Sequence, residues 1–382
     1  MIIPEDFSKL SNDYVMSLCE ELETGLDEAH ICSVEQLQKD VFNFVPGTPT
    51  PILVSTRNDV AHETIGDAGW PRFSFGRMWH DPAAMLINEL LPVYESMLLR
   101  DDKVFTLRPN MSQVFMPSFF GVDGTFIPGN EDSMPVVHQF LSKQQIISML
   151  GAPLLLSRGG MMEKYLSILD AWSRILMDFP TVRNCVHFCL PDLLGPCTLL
   201  YTLRGIDLYT DVYDDPQFVH EAMEMVTNGI IQVLKYIAPY IGLEDHGFYW
   251  NYCFPGRIRN VDDNSILFSK EQYEEFVRPY NDKLYDACGG GILHYCGKAQ
   301  HILDSVMNTK KIVGINFGNP ELQDWDTVYS MAQRNRKVLL WDMSMEPKRY
   351  SQLIGGVIMK VFVKDLESGK KILDDYRRSV NV

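Results

Sequence analysis

The sequence predicts an α/β protein, a closed (β/α)8 (TIM) barrel with an N-terminal, mainly helical extension. From Ser269 onward, short apolar runs alternate with amphipathic helical segments, and successive strands are about 20 to 26 residues apart, the rhythm of parallel strands joined by helices. Over roughly 280 residues this rhythm favours a closed barrel over an open doubly wound sheet, the alternative that periodicity leaves open. We therefore assign residues 1–100 to an extension that caps the barrel and residues 101–382 to the barrel.

The first 100 residues differ in pattern from the rest. Residues 10–40 have helical spacing, residues 44–55 indicate a loop and a short strand, and residues 66–80 form an aromatic loop that carries Arg72 and Arg77. Asp81-Pro82 is a typical helix start, with an N-cap carboxylate followed by proline at the first helical position. Strands are next expected at residues 104–107, 114–116, 186–190 and 248–252, and helices at residues 143–150, at 162–177 and after Asp215-Pro216.

The C-terminal part has the clearest pattern. Ser269-Lys-Glu-Gln272 is a capping box, which predicts a helix start. Four strands follow, at residues 292–296, 312–317, 338–342 and 357–363, with helices between them at residues 299–307, 327–335 and 347–353.

Charge and motifs exclude several classes of function. With 34 basic and 50 acidic residues the net charge is −16, which argues against nucleic-acid and anionic-membrane partners. No apolar run is long enough to span a bilayer, and the first residues lack a signal-peptide pattern. The eight cysteines include no C-x-x-C pair, so we expect reduced thiols and a cytoplasmic protein. Glycine-rich dinucleotide and P-loop motifs are absent.

The sharpest local feature is Leu293-His294-Tyr295-Cys296-Gly297. Alternate residues of a strand point to the same side, so His294 and Cys296 project together at the end of a strand where barrels keep their active sites. A nitrogen and a thiolate so placed can share Zn²⁺. The alternative is a hydrogen-bonded neutral histidine beside a buried cysteine. A zinc site needs a third protein ligand, for which the candidates are Cys253, Asp263 and Asp342.

Other polar residues near predicted strand ends are candidates for catalysis or binding. Asp192, Asp263 and Asp342 can act as acids and bases or hold a cation, although a helix cap or a solvated loop also accounts for the first two. Asn316 and Tyr252 are candidate substrate-binding residues. Arg72 and Arg77 can clamp a carboxylate substrate, or form ordinary ion pairs.

Several of these motifs occur in an order that resembles the uroporphyrinogen decarboxylase superfamily. The resemblance covers residues 100–365 and implies a (β/α)8 barrel that is often dimeric. The motifs that carry it are Asp192-Leu-Leu-Gly-Pro196, Leu203-Arg-Gly205, Leu208 to Pro216, Val261-Asp-Asp263, Ser269 to Tyr280, and Leu293 to Gly297.

The superfamily has two functional branches. Its corrinoid-dependent methyltransferases bind zinc through His-x-Cys and a later cysteine. His294 and Cys296 match the first part, whereas residues 362–365 contain no cysteine. Either another group completes the site, or the metal is absent and the activity has diverged.

The resemblance first implies a methyltransferase that moves a methyl group between a methyl-corrinoid, held by a separate protein, and a thiol or other small acceptor. In this hypothesis His294 and Cys296 bind zinc, and Asp342 or Cys253 completes the ligand set. The second hypothesis is a decarboxylase of uroporphyrinogen or another polycarboxylate, using strand-end acids with Arg72, Arg77 and Arg204, although the Arg-Gln-Ala-Gly-Arg loop of that branch is missing. The third is a non-catalytic protein that binds a corrinoid or tetrapyrrole.

Overall fold

The computed structural model describes residues 7–56, 64–66, 68–130, 132–156, 160–342, 353 and 355–380. Its strands are β1 (Ile52–Thr56), β2 (Thr64–Ile65), β3 (Pro71–Arg72), β4 (Thr106–Leu107), β5 (His187–Phe188), β6 (Leu193–Leu194), β7 (His246–Tyr249), β8 (Tyr252–Pro255), β9 (Ile258–Val261), β10 (Gly291–Tyr295), β11 (Ile312–Phe317), β12 (Val338–Trp341) and β13 (Val357–Val363).

The helices surround these strands. They are α1 (Phe7–Gly25), α2 (Glu28–Phe42), α3 (Phe75–His80), α4 (Pro82–Leu99), α5 (Phe115–Ser118), α6 (Lys143–Met149), α7 (Met162–Leu176), α8 (Pro180–Cys185), α9 (Pro196–Arg204), α10 (Leu208–Asp214), α11 (Pro216–Ile237), α12 (Lys270–Gln272), α13 (Arg278–Ala287), α14 (Leu303–Met307), α15 (Trp325–Asn335) and α16 (Leu366–Val380).

A seven-stranded parallel sheet forms the centre of the molecule, in the order β1-β13-β12-β11-β10-β9-β6. The α/β class is therefore confirmed. Strand β1 lies within the segment that the sequence assigned to an extension, yet it pairs with β13. The boundary at residue 100 therefore does not separate the sheet from the N-terminal segment.

The C-terminal predictions are the most accurate. Strands β11 and β13 have the predicted bounds, β12 ends one residue earlier than predicted, and β10 begins and ends one residue earlier. The Ser269 hydroxyl accepts the Gln272 backbone N–H at 3.2 Å, so the capping box is present. The helix expected at residues 347–353 falls almost entirely outside the described residues.

The helical spacing of residues 10–40 is confirmed, since they lie in two helices, α1 and α2. Other expectations in the first 260 residues were wrong. The expected aromatic loop at residues 66–80 contains β3 and α3. The strand expected at residues 114–116 overlaps helix α5, where Phe115 and Met116 are both buried. Periodicity cannot distinguish a short buried helix from a buried strand.

The strand expected at residues 248–252 is an antiparallel hairpin of β7 and β8. Its turn residues Trp250 and Asn251 have φ of 49° and 69°, the left-handed conformations that two-residue hairpin turns require. The next strand, β9, was not predicted, although it joins the main sheet between β10 and β6.

One end of the sheet is closed by α2 and the hairpin. Phe42 packs in one apolar cluster with the hairpin tyrosines and with Ile292, Leu340 and Ile358 of the sheet. It lies beside Gly314 in the first half of β11, so this cluster covers the amino ends of the strands. Polar side chains collect at the opposite, carboxyl ends. No described helix is both long and apolar enough to cross a membrane.

Candidate metal centre

Three neighbouring strands bring their polar residues together where they end. His294 of β10 is paired in register with Asn316 of β11 and with Val261 of β9. Asp263 follows β9, and Cys296 follows β10. Because the strands are parallel, their carboxyl ends meet at one edge, and the two residues of the His-x-Cys motif face the same side.

Asp263, His294 and Cys296 form a compact donor cluster, with one ligand atom from each lying within 4.8 Å of the others. The Nε2 of His294 is 3.5 Å from the Sγ of Cys296 and 3.9 Å from an oxygen of Asp263. The same oxygen accepts the backbone N–H of Cys296 at 2.7 Å, which fixes the carboxylate beside the thiol. Of the three candidate third ligands, the structure brings Asp263 to the pair, and not Asp342 or Cys253, which the methyltransferase hypothesis favoured.

Two glycines make this approach possible. Gly297 has a φ of 85°, so the chain turns sharply directly after Cys296. Gly318 lies opposite, and a Cβ there would overlap the Sγ of Cys296 and come within 3.2 Å of the His294 ring. Any larger residue at position 318 would therefore displace the thiol.

Asn316 determines which nitrogen of His294 carries the proton. Its Nδ2 donates to the Leu340 carbonyl and to a carboxylate oxygen of Asp342, both at 3.2 Å, and both partners are acceptors only. The Oδ1 of Asn316 therefore faces His294 Nδ1 at 2.8 Å and accepts from it. The proton is thus on Nδ1, and the lone pair of Nε2 points to the donor cluster, as in histidines that bind metals.

Burial shifts the pKa of all three groups of the cluster. Burial, helped by Arg259, lowers the pKa of His294 to about 3, so its imidazole is neutral. Burial and the neighbouring Asp263 raise the pKa of the Cys296 thiol to about 11, and burial raises that of Asp263. A bound metal ion would lower the pKa of both acidic groups, Cys296 and Asp263, because its positive charge offsets their repulsion. A thiol that coordinates a metal ion is deprotonated.

The donor spacing suits tetrahedral zinc. Bonds of about 2.0 Å to nitrogen and 2.3 Å to sulfur at a tetrahedral angle place these two atoms roughly 3.5 Å apart, which agrees with the observed 3.5 Å. The oxygen of Asp263, at 3.9 Å from Nε2, needs a shift of about 0.5 Å to reach its position. Three protein donors leave a fourth position for a substrate, as in catalytic zinc sites.

Asp342 and Tyr252 lie next to the cluster and bond to each other. The Tyr252 hydroxyl donates to Asp342 at 3.0 Å, and Asn316 bonds to the other carboxylate oxygen. Asp342 thus supports Asn316. Cys253, the remaining candidate ligand, packs with Val34 and Val104 instead.

The remaining predicted residues lie in ion pairs. Asp192 pairs with Arg108, which follows β4. Arg72 is buried against Glu95, and Arg77 is 2.9 Å from Asp81. The two arginines of the predicted aromatic loop are therefore engaged by carboxylates of this chain.

Sequence reasoning missed Arg259, which lies in β9 and donates to the Oδ1 of Asn316 at 2.8 Å. It also missed Trp250, at the hairpin turn. The sequence does contain a pattern that could have indicated Arg259. Ile258-Arg259-Asn260-Val261 is a short strand-like run with a charged residue at its second position.

Comparison with known proteins adds no relative to this description. No protein-family model matches the chain, and no curated protein matches it.

Proposed function

We propose that this protein is a zinc-dependent methyltransferase related to the uroporphyrinogen decarboxylase superfamily. It would move a methyl group between a methyl-corrinoid, held by a separate protein, and a thiol or other small acceptor. The observation that carries the proposal is the convergence of Asp263, His294 and Cys296 at the carboxyl ends of neighbouring parallel strands. Asp263 takes the place of the later cysteine that the resemblance leads one to expect.

The proposal includes closure of the sheet into a barrel, and the contacts of β1 support it. The backbone N–H groups of Ile52 and Val54 donate to the carboxylates of Asp102 and Asp101 at 2.8 and 2.7 Å, and the Lys103 ammonium donates to the Val54 carbonyl. These side chains satisfy groups on β1 that a neighbouring strand would otherwise bind.

The chain then runs directly into β4, which pairs in parallel with β5. Strand β5 leads to β6, at the far edge of the main sheet. In the proposed barrel, β4 and β5 would bridge the two edges, and β5 with β6 would count as one interrupted strand. The barrel then has eight strands, as the sequence rhythm predicts.

Each residue of the centre has a defined task. His294 presents its Nε2 lone pair, held in that tautomer by Asn316. Cys296 and Asp263 supply the anionic donors. When bound at such a site, zinc holds an acceptor thiol as its thiolate and so provides a nucleophile at neutral pH. The open side of the centre, at the carboxyl ends of the strands, is where we place the corrinoid protein.

Metal content is the first test. We expect about one zinc per chain in protein purified without chelator, measured by mass spectrometry of the metal, and a loss of zinc in His294→Ala, Cys296→Ser and Asp263→Asn. Cys32→Ser is the matched control, because Cys32 is the other exposed cysteine. Wild-type protein free of zinc, or His294→Ala with unchanged zinc, contradicts the proposal.

Methyl transfer is the second test. With methylcobalamin as donor and a small thiol as acceptor, the spectrum of the corrinoid reports transfer directly. We expect turnover by the zinc-loaded wild type, none by Cys296→Ser and full turnover by Cys32→Ser. Cys253→Ser should retain its zinc, since Cys253 lies outside the donor cluster. Zinc loss in this variant refutes Asp263 as the third ligand.

A further inference from the structure

Three cationic side chains lie close to the indole ring of Trp250. The guanidinium carbons of Arg259 and Arg108 lie 4.8 and 5.4 Å from the centre of its indole ring, and the ammonium of Lys360 lies 5.6 Å from it. Trp250 lies at the hairpin turn and is 37% exposed. An aromatic face within reach of solvent is thus lined by positive charge.

The carboxylates nearby do not balance these charges. Asp192 pairs with Arg108, and Asp342 bonds to Tyr252 and Asn316. Glu89 accepts the Arg108 backbone N–H, and burial raises its pKa to about 7. Three cations therefore face two carboxylates and one acid that is half protonated at neutral pH, within a chain whose net charge is −16.

Two of these cations, Lys360 and Arg259, make no ion pair with a carboxylate among the described residues. Lys360 donates to the Trp250 carbonyl at 3.0 Å, so of the two arginines beside Trp250 the one without a carboxylate partner is Arg259. It is 4% exposed, and its hydrogen bond goes to the neutral amide of Asn316 at 2.8 Å. Its Nε has no hydrogen-bond partner, and neither does the Nε of Arg108. A buried guanidinium with unused donors is costly, because it has lost its hydration without a compensating anion.

Other buried cations of this chain are treated differently. Lys103 is fully buried and lies 2.9 Å from Asp101, and Arg72 is buried against Glu95. The fold thus pairs a buried cation with an acid of its own at two sites. The exception at Arg259 lies beside the metal centre, since Asn316 bonds to both Arg259 and His294.

We propose that Arg259, with Arg108 and the face of Trp250, binds the carboxylate of a small planar substrate. A carboxylate matches the planar donor fork of arginine, and the indole face accommodates a flat group beside it. Asn316 links this anion subsite to the metal centre, so the rest of the substrate would lie towards Cys296. That placement rests on the proposed function, whereas the subsite itself does not.

Calorimetric titration tests the subsite directly, with benzoate, its neutral analogue benzamide and inorganic phosphate as probes. We expect benzoate to bind the wild type, and benzamide to bind about tenfold or more weakly, because it lacks the charge that arginine pairs with. Arg259→Met should weaken benzoate binding by about 10- to 100-fold. Arg257→Met is the matched control, since Arg257 donates to the Ala287 and Cys288 carbonyls instead.

Thermal unfolding separates this role from a structural one. Without ligand, Arg259→Met should melt no lower than the wild type, because it removes an uncompensated charge. Benzoate should raise the melting temperature of the wild type and leave that of Arg259→Met unchanged. If Arg259→Met does not fold, Arg259→Lys tests the same point, because it keeps the charge and loses the planar fork.

Three results would overturn the proposal. They are binding of phosphate in place of benzoate, binding of benzamide as tight as that of benzoate, and a wild type that binds none of the three probes. All titrations are run on zinc-loaded and chelator-treated protein. Benzoate binding without any zinc in the wild type would refute the metal centre and leave the anion subsite standing. Zinc binding without benzoate binding would refute the anion subsite and leave the metal centre standing.

Discussion

Gly318 is the position where a single methyl group tests the metal centre. A Cβ at residue 318 would overlap the Sγ of Cys296, and ordinary contact distances require the sulfur to withdraw by about 1 Å or more. A zinc–sulfur bond is about 2.3 Å long, and a withdrawal of this size takes the sulfur out of bonding distance, so Gly318→Ala removes Cys296 from the ligand set. We expect its zinc affinity to fall by about 100-fold or more, in competition with a chromophoric chelator.

Gly318→Ala should also lower the stability of the protein. Forcing a methyl group into an occupied space costs about 1 to 3 kcal/mol of the free energy of unfolding, measurable by urea denaturation of the metal-free protein. In a Cys296→Ala background the obstructing sulfur is absent, so most of that cost should disappear. A cost that is equal in both backgrounds, or a Gly318→Ala protein with wild-type zinc affinity, would refute the geometry described for Cys296.

Three further predictions follow from individual contacts. Asn316→Leu removes the acceptor that orients His294, and chelator competition should show a zinc affinity lower by about 10- to 100-fold. Asp101→Asn leaves the buried Lys103 without its carboxylate, so urea denaturation should show a loss of about 3 to 5 kcal/mol. Burial lowers the pKa of Lys360 from 10.5 to about 8. The unfolded chain then binds more protons at this residue between these values, so Lys360 contributes on the order of 3 kcal/mol of added stability as the pH rises through them. The difference in unfolding free energy between wild type and Lys360→Met, followed from about pH 7 to 10, should show this contribution.

Sequence patterns were sufficient to predict those features that depend only on residues close together in the chain. Strands β11 and β13 are continuous apolar runs between helices, and such runs mark buried parallel strands. The His-x-Cys motif required only the period of a strand to place both side chains on one face. These features depend on neighbours in the chain, so a single sequence reveals them.

The rest depends on contacts between distant residues. Asp263 and Cys296 are 33 positions apart and meet because β9 and β10 are paired. Strand β9 is four residues long, too short for periodicity to reveal. The ion pair of Arg72 with Glu95 likewise joins a short strand to a helix. Nothing in the sequence around Glu95 indicates that it forms an ion pair with Arg72.

In the proposed zinc centre, charge explains how Asp263 could serve where the resemblance leads one to expect a cysteine. A donor set of His, Cys and Asp carries two negative charges when it is ionised, as does a set of His with two cysteines, and both neutralise a divalent cation. Oxygen donates less electron density than sulfur, so the zinc keeps more of its Lewis acidity. The backbone N–H of Cys296 also bonds to Asp263 and withdraws further charge from that oxygen. A substrate thiol bound by such an ion would ionise more readily but attack more weakly, because a thiolate loses nucleophilicity as its pKa falls.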